Sequence, residues 1–155
     1  MNSLNYLSKY ATSLYKNFAS YTADRLAGIG LNFGALSLIV YIGKYPGCTQ
    51  SSVKDGLKMD WGHCQRSINR LVDGGFVQKE KGCDRSWHLT LSKKGDEAFL
   101  LSHQVFKEWD DELLSDLTDD ERAILLSLLK KICSGNQFVM PVKEGSLCMK
   151  ESLPQ

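Results

Sequence analysis

Between Asp60 and Asp73 the side chains divide by type when the chain is wound at about 100° per residue. Gly62, His63, Arg66, Asn69 and Arg70 fall on one side, with Gln65 beside them. Trp61, Cys64, Ile68, Leu71 and Val72 fall on the other, which reads as a core face. Arginine can meet a guanine edge with two hydrogen bonds, asparagine suits adenine, and a glycine lets backbone approach closely. A helix with such a face is suited to reading base edges in a major groove. A second basic element follows: Lys79 and Lys81 lead to Asp84-Arg85, which places a guanidinium at a turn, where it can enter a narrow minor groove. Ser51, Ser52 and Lys54 precede the helix and suit phosphate contacts, which position a protein rather than specify a sequence, and Thr49 and Gln50 beside them are further candidates for contact with DNA.

These residues need elements to hold them. Apolar residues at Leu4, Leu7, Ala11, Leu14, Tyr15 and Phe18 recur at helical spacing over about 3 to 24, and Gly28 and Gly30 interrupt them. A second helix is expected from about Phe33 to Ile42, and Tyr45-Pro46-Gly47 marks a turn. Thr49 suits the cap of a short helix through Leu57, and Asp60 that of the helix over 61–73, which Gly74-Gly75 ends. The period then changes to two short strands, 76–81 and 86–91, around the turn 82–85. Ser92 can cap a long helix to about Ser115 whose stripe is Ala98, Phe99, Phe106, Trp109 and Leu113. Thr118 and Glu121 have the form of a capping box opening a last helix with Ile124, Leu125, Leu128, Leu129 and Ile132 on one face.

The predicted fold class is mainly α with a small β-ribbon: a winged helix-turn-helix flanked by N- and C-terminal helices. The expected organisation is an N-terminal dimerisation helix and connection over 1–32 and a DNA-binding region over 33–95. A linking helix and C-terminal dimerisation helix follow over 96–135, then a tail over 136–155. The terminal helices exceed what the central unit needs, so Leu4, Leu7, Ala11, Leu14, Leu125, Leu128, Leu129 and Ile132 are the expected interface of a homodimer.

Composition sets the outer bounds. The 155 residues suit one domain and carry a net charge of +1. From Lys44 to Lys94, ten Lys/Arg stand against five Asp/Glu, while the remainder has nine against thirteen. A basic middle within a neutral total is the footprint of a polyanion partner, here double-stranded DNA. The longest apolar stretch, Leu36 to Ile42, is too short to span a bilayer, and Met1 to Tyr6 lacks the basic head of a secretion signal. The expectation is a cytoplasmic chain with no membrane partner. Five cysteines (Cys48, Cys64, Cys83, Cys133, Cys148) form no CxxC pair, and His63, His88 and His103 have no partners at ligand spacing. No metal site, cofactor or enzymatic activity is expected, since no cysteine is paired with a base.

The ordered set Gly47-Cys48-Thr49-Gln50, Arg66 to Leu71, Gly75-Phe76-Val77, Asp84-Arg85 and Leu89 to Gly95 resembles the MarR family of bacterial transcription regulators. The likeness covers roughly residues 30 to 100 in motif and the whole chain in helix order. It implies a dimeric winged-helix regulator that binds a pseudo-palindromic operator, with Arg66 at the recognition-helix arginine and Arg85 at the wing arginine. Trp61-Gly62-His63-Cys64 departs from the small hydroxyl and aliphatic residues usual there, and Asn69 stands where an aspartate is common; the operator sequence is therefore left open. The resemblance further implies a repressor released by a small aromatic or phenolic effector in a cleft between the dimer helices and the DNA-binding lobe. Tyr6, Tyr10, Phe18, Tyr21, Phe33, His103 and Trp109 are the residues that could line it. Two alternatives remain open: a thiol-based redox switch through Cys83 or Cys64, and a winged-helix protein–protein adaptor. Arg66 and Arg70 oppose the adaptor, which calls for an acidic or apolar face.

Overall fold

The computed structural model describes residues 6–135. Leu4 and the tail lie outside the described residues. The element order is α1 (Leu7–Leu26), α2 (Phe33–Lys44), β1 (Cys48–Thr49), α3 (Gln50–Gly56), α4 (Trp61–Asp73), β2 (Val77–Lys81), β3 (Trp87–Leu91), α5 (Lys93–Leu113) and α6 (Asp119–Cys133), with a 3₁₀ turn Ala27–Ile29 after α1. Four helix starts follow from single residues. The side chains of Thr49, Asp60, Ser92 and Thr118 each accept a hydrogen bond from a backbone N–H three residues on, satisfying a donor that has no partner inside the helix. Asn32 does the same for α2, accepting from Ala35 N at 2.9 Å.

Helix α2 is the centre of the body. Leu36, Leu38, Ile39, Val40 and Ile42 are all buried, so it is apolar nearly all round and other elements enclose it. The core continues through Val53 of α3, Cys64, Ile68 and Leu71 of α4, Leu89 of β3 and Ala98 of α5. Two glycines make the joints. Gly75, at φ +78°, turns the chain out of α4 into the wing, a conformation that side chains with a Cβ rarely adopt. At Gly95 a Cβ would lie 2.0 Å from the Phe76 carbonyl oxygen, so only glycine lets α5 start this close to the wing.

The sheet has three strands in the order β1-β3-β2, all antiparallel. The ribbon is as expected, with Val77 opposite Leu91 and Lys81 opposite Trp87. Strand β1 is new: Cys48 pairs with Leu89 and Thr49 with His88. Two residues are too short to show a period, and the pairing depends on a partner forty positions away.

One core assignment is corrected. Trp61 was expected on the buried side of α4 but is 50% exposed. It is the first residue of the helix and borders an open cleft with Gln50, Lys79 and Trp87; Cys64, Ile68 and Leu71, further along the same face, are buried as expected. No single described helix is long and apolar enough to cross a membrane. Helices α1 and α2 pass that test only as a pair bent by 77°, and α2 spends its apolar residues on the core.

Candidate nucleic-acid interface

Helices α3 and α4 form the helix-turn-helix. In α3 the Thr49 hydroxyl accepts from Ser52 N at 3.2 Å and the Ser52 hydroxyl accepts from Thr49 N at 3.0 Å. Both hydroxyls are thus committed to the cap, whereas Ser51 is exposed and free to reach outward. The Tyr41 hydroxyl donates to Ser52 O at 3.0 Å and ties α3 to α2. Lys54 sits 2.5 Å from the carboxylate of its neighbour Asp55, a surface pair of small energetic weight.

Asp60 places a carboxylate at the start of α4, where it accepts from His63 N at 2.9 Å and complements the helix dipole. Its burial pattern separates the two faces cleanly: Cys64, Ile68 and Leu71 are buried while His63, Gln65, Arg66, Asn69 and Arg70 are exposed. Gly62 is half-buried, and a Cβ there would come 3.2 Å from the Arg66 guanidinium. Neither Arg66 nor Arg70 is in an ion pair among the described residues.

The wing tip is held by side chains. Asp84 accepts from Ser86 N at 3.1 Å and from the Ser86 hydroxyl. His88 bridges outward from β3, with Nε2 3.1 Å from Asp84 Oδ1 and Nδ1 2.8 Å from Gly47 O. The Ser86 and His88 hydrogen bonds hold the Asp84 carboxyl down at about 2. The Gly47 carbonyl and then Asp84 raise His88 above its ordinary 6.5. Arg85, exposed at φ +65°, projects from the tip with no ion pair among the described residues. Lys81 is also exposed, and the Lys79 ammonium lies 5.2 Å from the centre of the Trp87 ring.

Gln50, Trp61, Gln65, Lys79 and Trp87 line a cleft of about 510 Å³ between α3, the start of α4 and the wing. Gln50 Nε2 is buried there without a hydrogen-bond partner. Neither Trp61 nor Trp87 was expected at this surface. Period-two alternation sets Trp87 on the same face as the buried Leu89, yet Trp87 is 46% exposed.

The seven aromatic candidates are not gathered round one space. Phe18 meets Phe33 edge to face (5.5 Å between ring centres) and packs at a tilt against Phe106 (5.5 Å) and Trp109 (4.8 Å). Tyr21 lies under the Arg25 guanidinium, 3.3 Å from it, and His103 Nδ1 is 2.8 Å from Phe99 O. Tyr6 and Tyr10 are exposed at the start of α1. A second cleft of about 250 Å³, between the start of α2 and α4, is lined by Asn32, Ala35, His63, Ser67, Arg70 and Phe76, and none of the seven lines either cleft.

Of the interface candidates, Leu7, Ala11, Leu14, Leu128, Leu129 and Ile132 are exposed and Leu125 is half-buried. Among the thiols, burial pushes Cys48 up to about 11 and raises Cys64 as well, which disfavours the reactive thiolate; Cys83 is exposed on the wing. Among the described residues no group of three His, Cys, Asp or Glu could hold a metal ion.

No protein-family model matches the chain. It is 34% identical over 144 residues to the HTH-type transcriptional regulator BilQ of Clostridium symbiosum (strain WAL-14163), covering 92% of this chain and 95% of that protein. A MarR transcriptional regulator from Methanosarcina mazei Go1 superposes with a TM-score of 0.74 at 26% identity, over 81% of this chain and 86% of that one. Streptococcus pneumoniae FabT, solved in complex with DNA, superposes at 0.73 with 24% identity, over 81% and 92%. That last likeness is one of fold.

Proposed function

The chain belongs to the MarR family of DNA-binding transcriptional regulators, and from that membership we propose that it is a homodimeric repressor acting in the cytoplasm on a pseudo-palindromic operator. The observation that carries the reading is the exposed face of α4: His63, Gln65, Arg66, Asn69 and Arg70 stand clear of their own chain, two of them arginines without an ion pair among the described residues. In this reading α4 enters a major groove, with Arg66 and Asn69 at base edges. Arg85 enters the neighbouring minor groove, and Ser51, Lys54, Lys79 and Lys81 meet phosphates. Thr49 and Ser52 contribute by fixing the start of α3 with their hydroxyls rather than by offering them to phosphates.

The same reading divides the chain into dimerisation helices at 1–32 and 96–135 and a DNA-binding region at 33–95. Exposed apolar residues of α1 and α6 support the dimer, which would cover them. Release by a small aromatic effector completes the proposal. Entry beside the DNA-binding lobe would require Phe18, Phe33, Phe106 and Trp109 to separate, since they now pack on one another.

The test is a salt-titrated binding isotherm on DNA from upstream of the protein's own gene, against a shuffled duplex of equal length. Neutralising six to ten phosphates predicts a loss of about 10³–10⁵-fold between 50 and 200 mM salt, on the native duplex. Equal, weak binding to both duplexes would instead favour an adaptor or architectural role.

A further inference from the structure

Each of the three tryptophans is in a different situation. The Trp109 indole N–H donates to Asn17 Oδ1 at 2.7 Å, and its ring packs at a tilt against Phe18. The Trp87 ring carries the Lys79 ammonium. Trp61 is half exposed, and among the described residues its indole has neither a hydrogen bond, a stacked ring nor a cation. It also occupies a particular place: the first turn of α4, between the Asp60 cap and the exposed Gln65.

The exposed half of that indole borders the cleft, and its surroundings say what kind of group could cover it. Lys79 lines the same cleft as Trp61, and Lys81 and Arg85 are exposed further along that wing. The only nearby acid on the helix start, Asp60, is engaged by the His63 N–H. An apolar plate that shares a cleft with a lysine of a basic wing fits a polyanion that presents an apolar group. In a major groove that group is the C5-methyl of thymine, and the N-terminal residues of a recognition helix are those that meet base edges.

We propose that Trp61 is a specificity-determining residue whose indole packs on the C5-methyl of one thymine in each half-site. The proposal rests on the DNA-binding reading above and adds to it the base and the group on it. No polar partner is needed, so the contact discriminates by a methyl alone. Its loss weakens binding about fourfold for each methyl buried.

The experiment uses a duplex that the full-length protein itself selects from a random library, with each thymine then replaced singly by deoxyuridine, which lacks the methyl. Wild-type protein should lose about fourfold at one position per half-site, and Trp61→Phe should keep that sensitivity. Trp61→Ala, checked for an unchanged circular dichroism spectrum, should bind thymine and deoxyuridine duplexes equally. A wild-type protein indifferent to every replacement overturns the proposal, as does a loss that persists undiminished in Trp61→Ala. Failure to select any duplex would overturn the DNA-binding reading itself and this proposal with it.

Discussion

Helices α4 and α6 are both amphipathic and of similar length, 13 and 15 residues, yet they use their apolar stripes differently. In α4 the stripe Cys64, Ile68 and Leu71 is sunk in its own chain, and the opposite face is left polar and basic. In α6 no residue is buried: Ile124, Leu128 and Ile132 are 60, 54 and 49% exposed. Its first turn is capped by Thr118 and its side is tied to α5 by Arg122 and Asp111 at 3.2 Å, so the helix is well formed without a core to hold it. An apolar stripe therefore states that a helix needs a partner, and only the fold says whether that partner lies in the same chain.

Substitutions can break this contrast. Ile68→Ala should cost about 2–5 kcal/mol of stability in urea unfolding, because it opens a cavity in a closed core. If that loss stays below 1 kcal/mol, α4 is not anchored as described. Leu128→Glu should leave the chain folded but weaken self-association by about 2 kcal/mol, roughly thirtyfold, in sedimentation equilibrium. An unchanged association constant would remove α6 from the proposed dimer. On the other face of the contrast, Arg66→Ala should cost about 1–3 kcal/mol of operator affinity while leaving self-association untouched.

Smaller effects sharpen the comparison. Thr118→Ala should lower stability by about 1 kcal/mol through loss of the cap, with helix content recorded by circular dichroism as the check. The smallest concerns the wing. His88 is raised above its ordinary 6.5 by the Gly47 carbonyl and Asp84, so its protonated form is favoured in the folded state. That contribution is fully present below about pH 6.5 and fades as pH rises through the folded value. The melting temperature of the wild type should fall slightly between pH 6 and 8, and His88→Gln should lack this component. Asp84, held at about 2, works in the opposite sense: its contribution is present above about pH 4 and disappears as pH falls toward 2.

Much of the candidate site's framework was legible because its signals are local. The expected bounds of α4 match the observed Trp61–Asp73, since a cap at Asp60 and the Gly74-Gly75 pair act on backbone groups within a turn of themselves. The wing strands were displaced by only a residue at their starts, and the long helix began at Lys93 as Ser92 required. Winding at helical pitch also separated Arg66, Asn69 and Arg70 from Ile68 and Leu71. Trp61 escaped that reasoning because a helical wheel has no ends: it assigns a direction to a side chain, not the presence of anything in that direction.

What the sequence determined by itself is where elements start and stop, which helix faces are apolar, and that the positive charge gathers between Lys44 and Lys94. Each of these depends on neighbours within a few residues. The tertiary structure alone decided that Cys48 and Thr49 add a third strand to the wing, that His88 clamps Asp84 to the Gly47 carbonyl, and that Phe18, Phe33 and Trp109 pack together. It also decided that Trp61 and the stripe of α6 face outward. These are matters of contact between distant segments, and a pattern along the chain carries no distance across it.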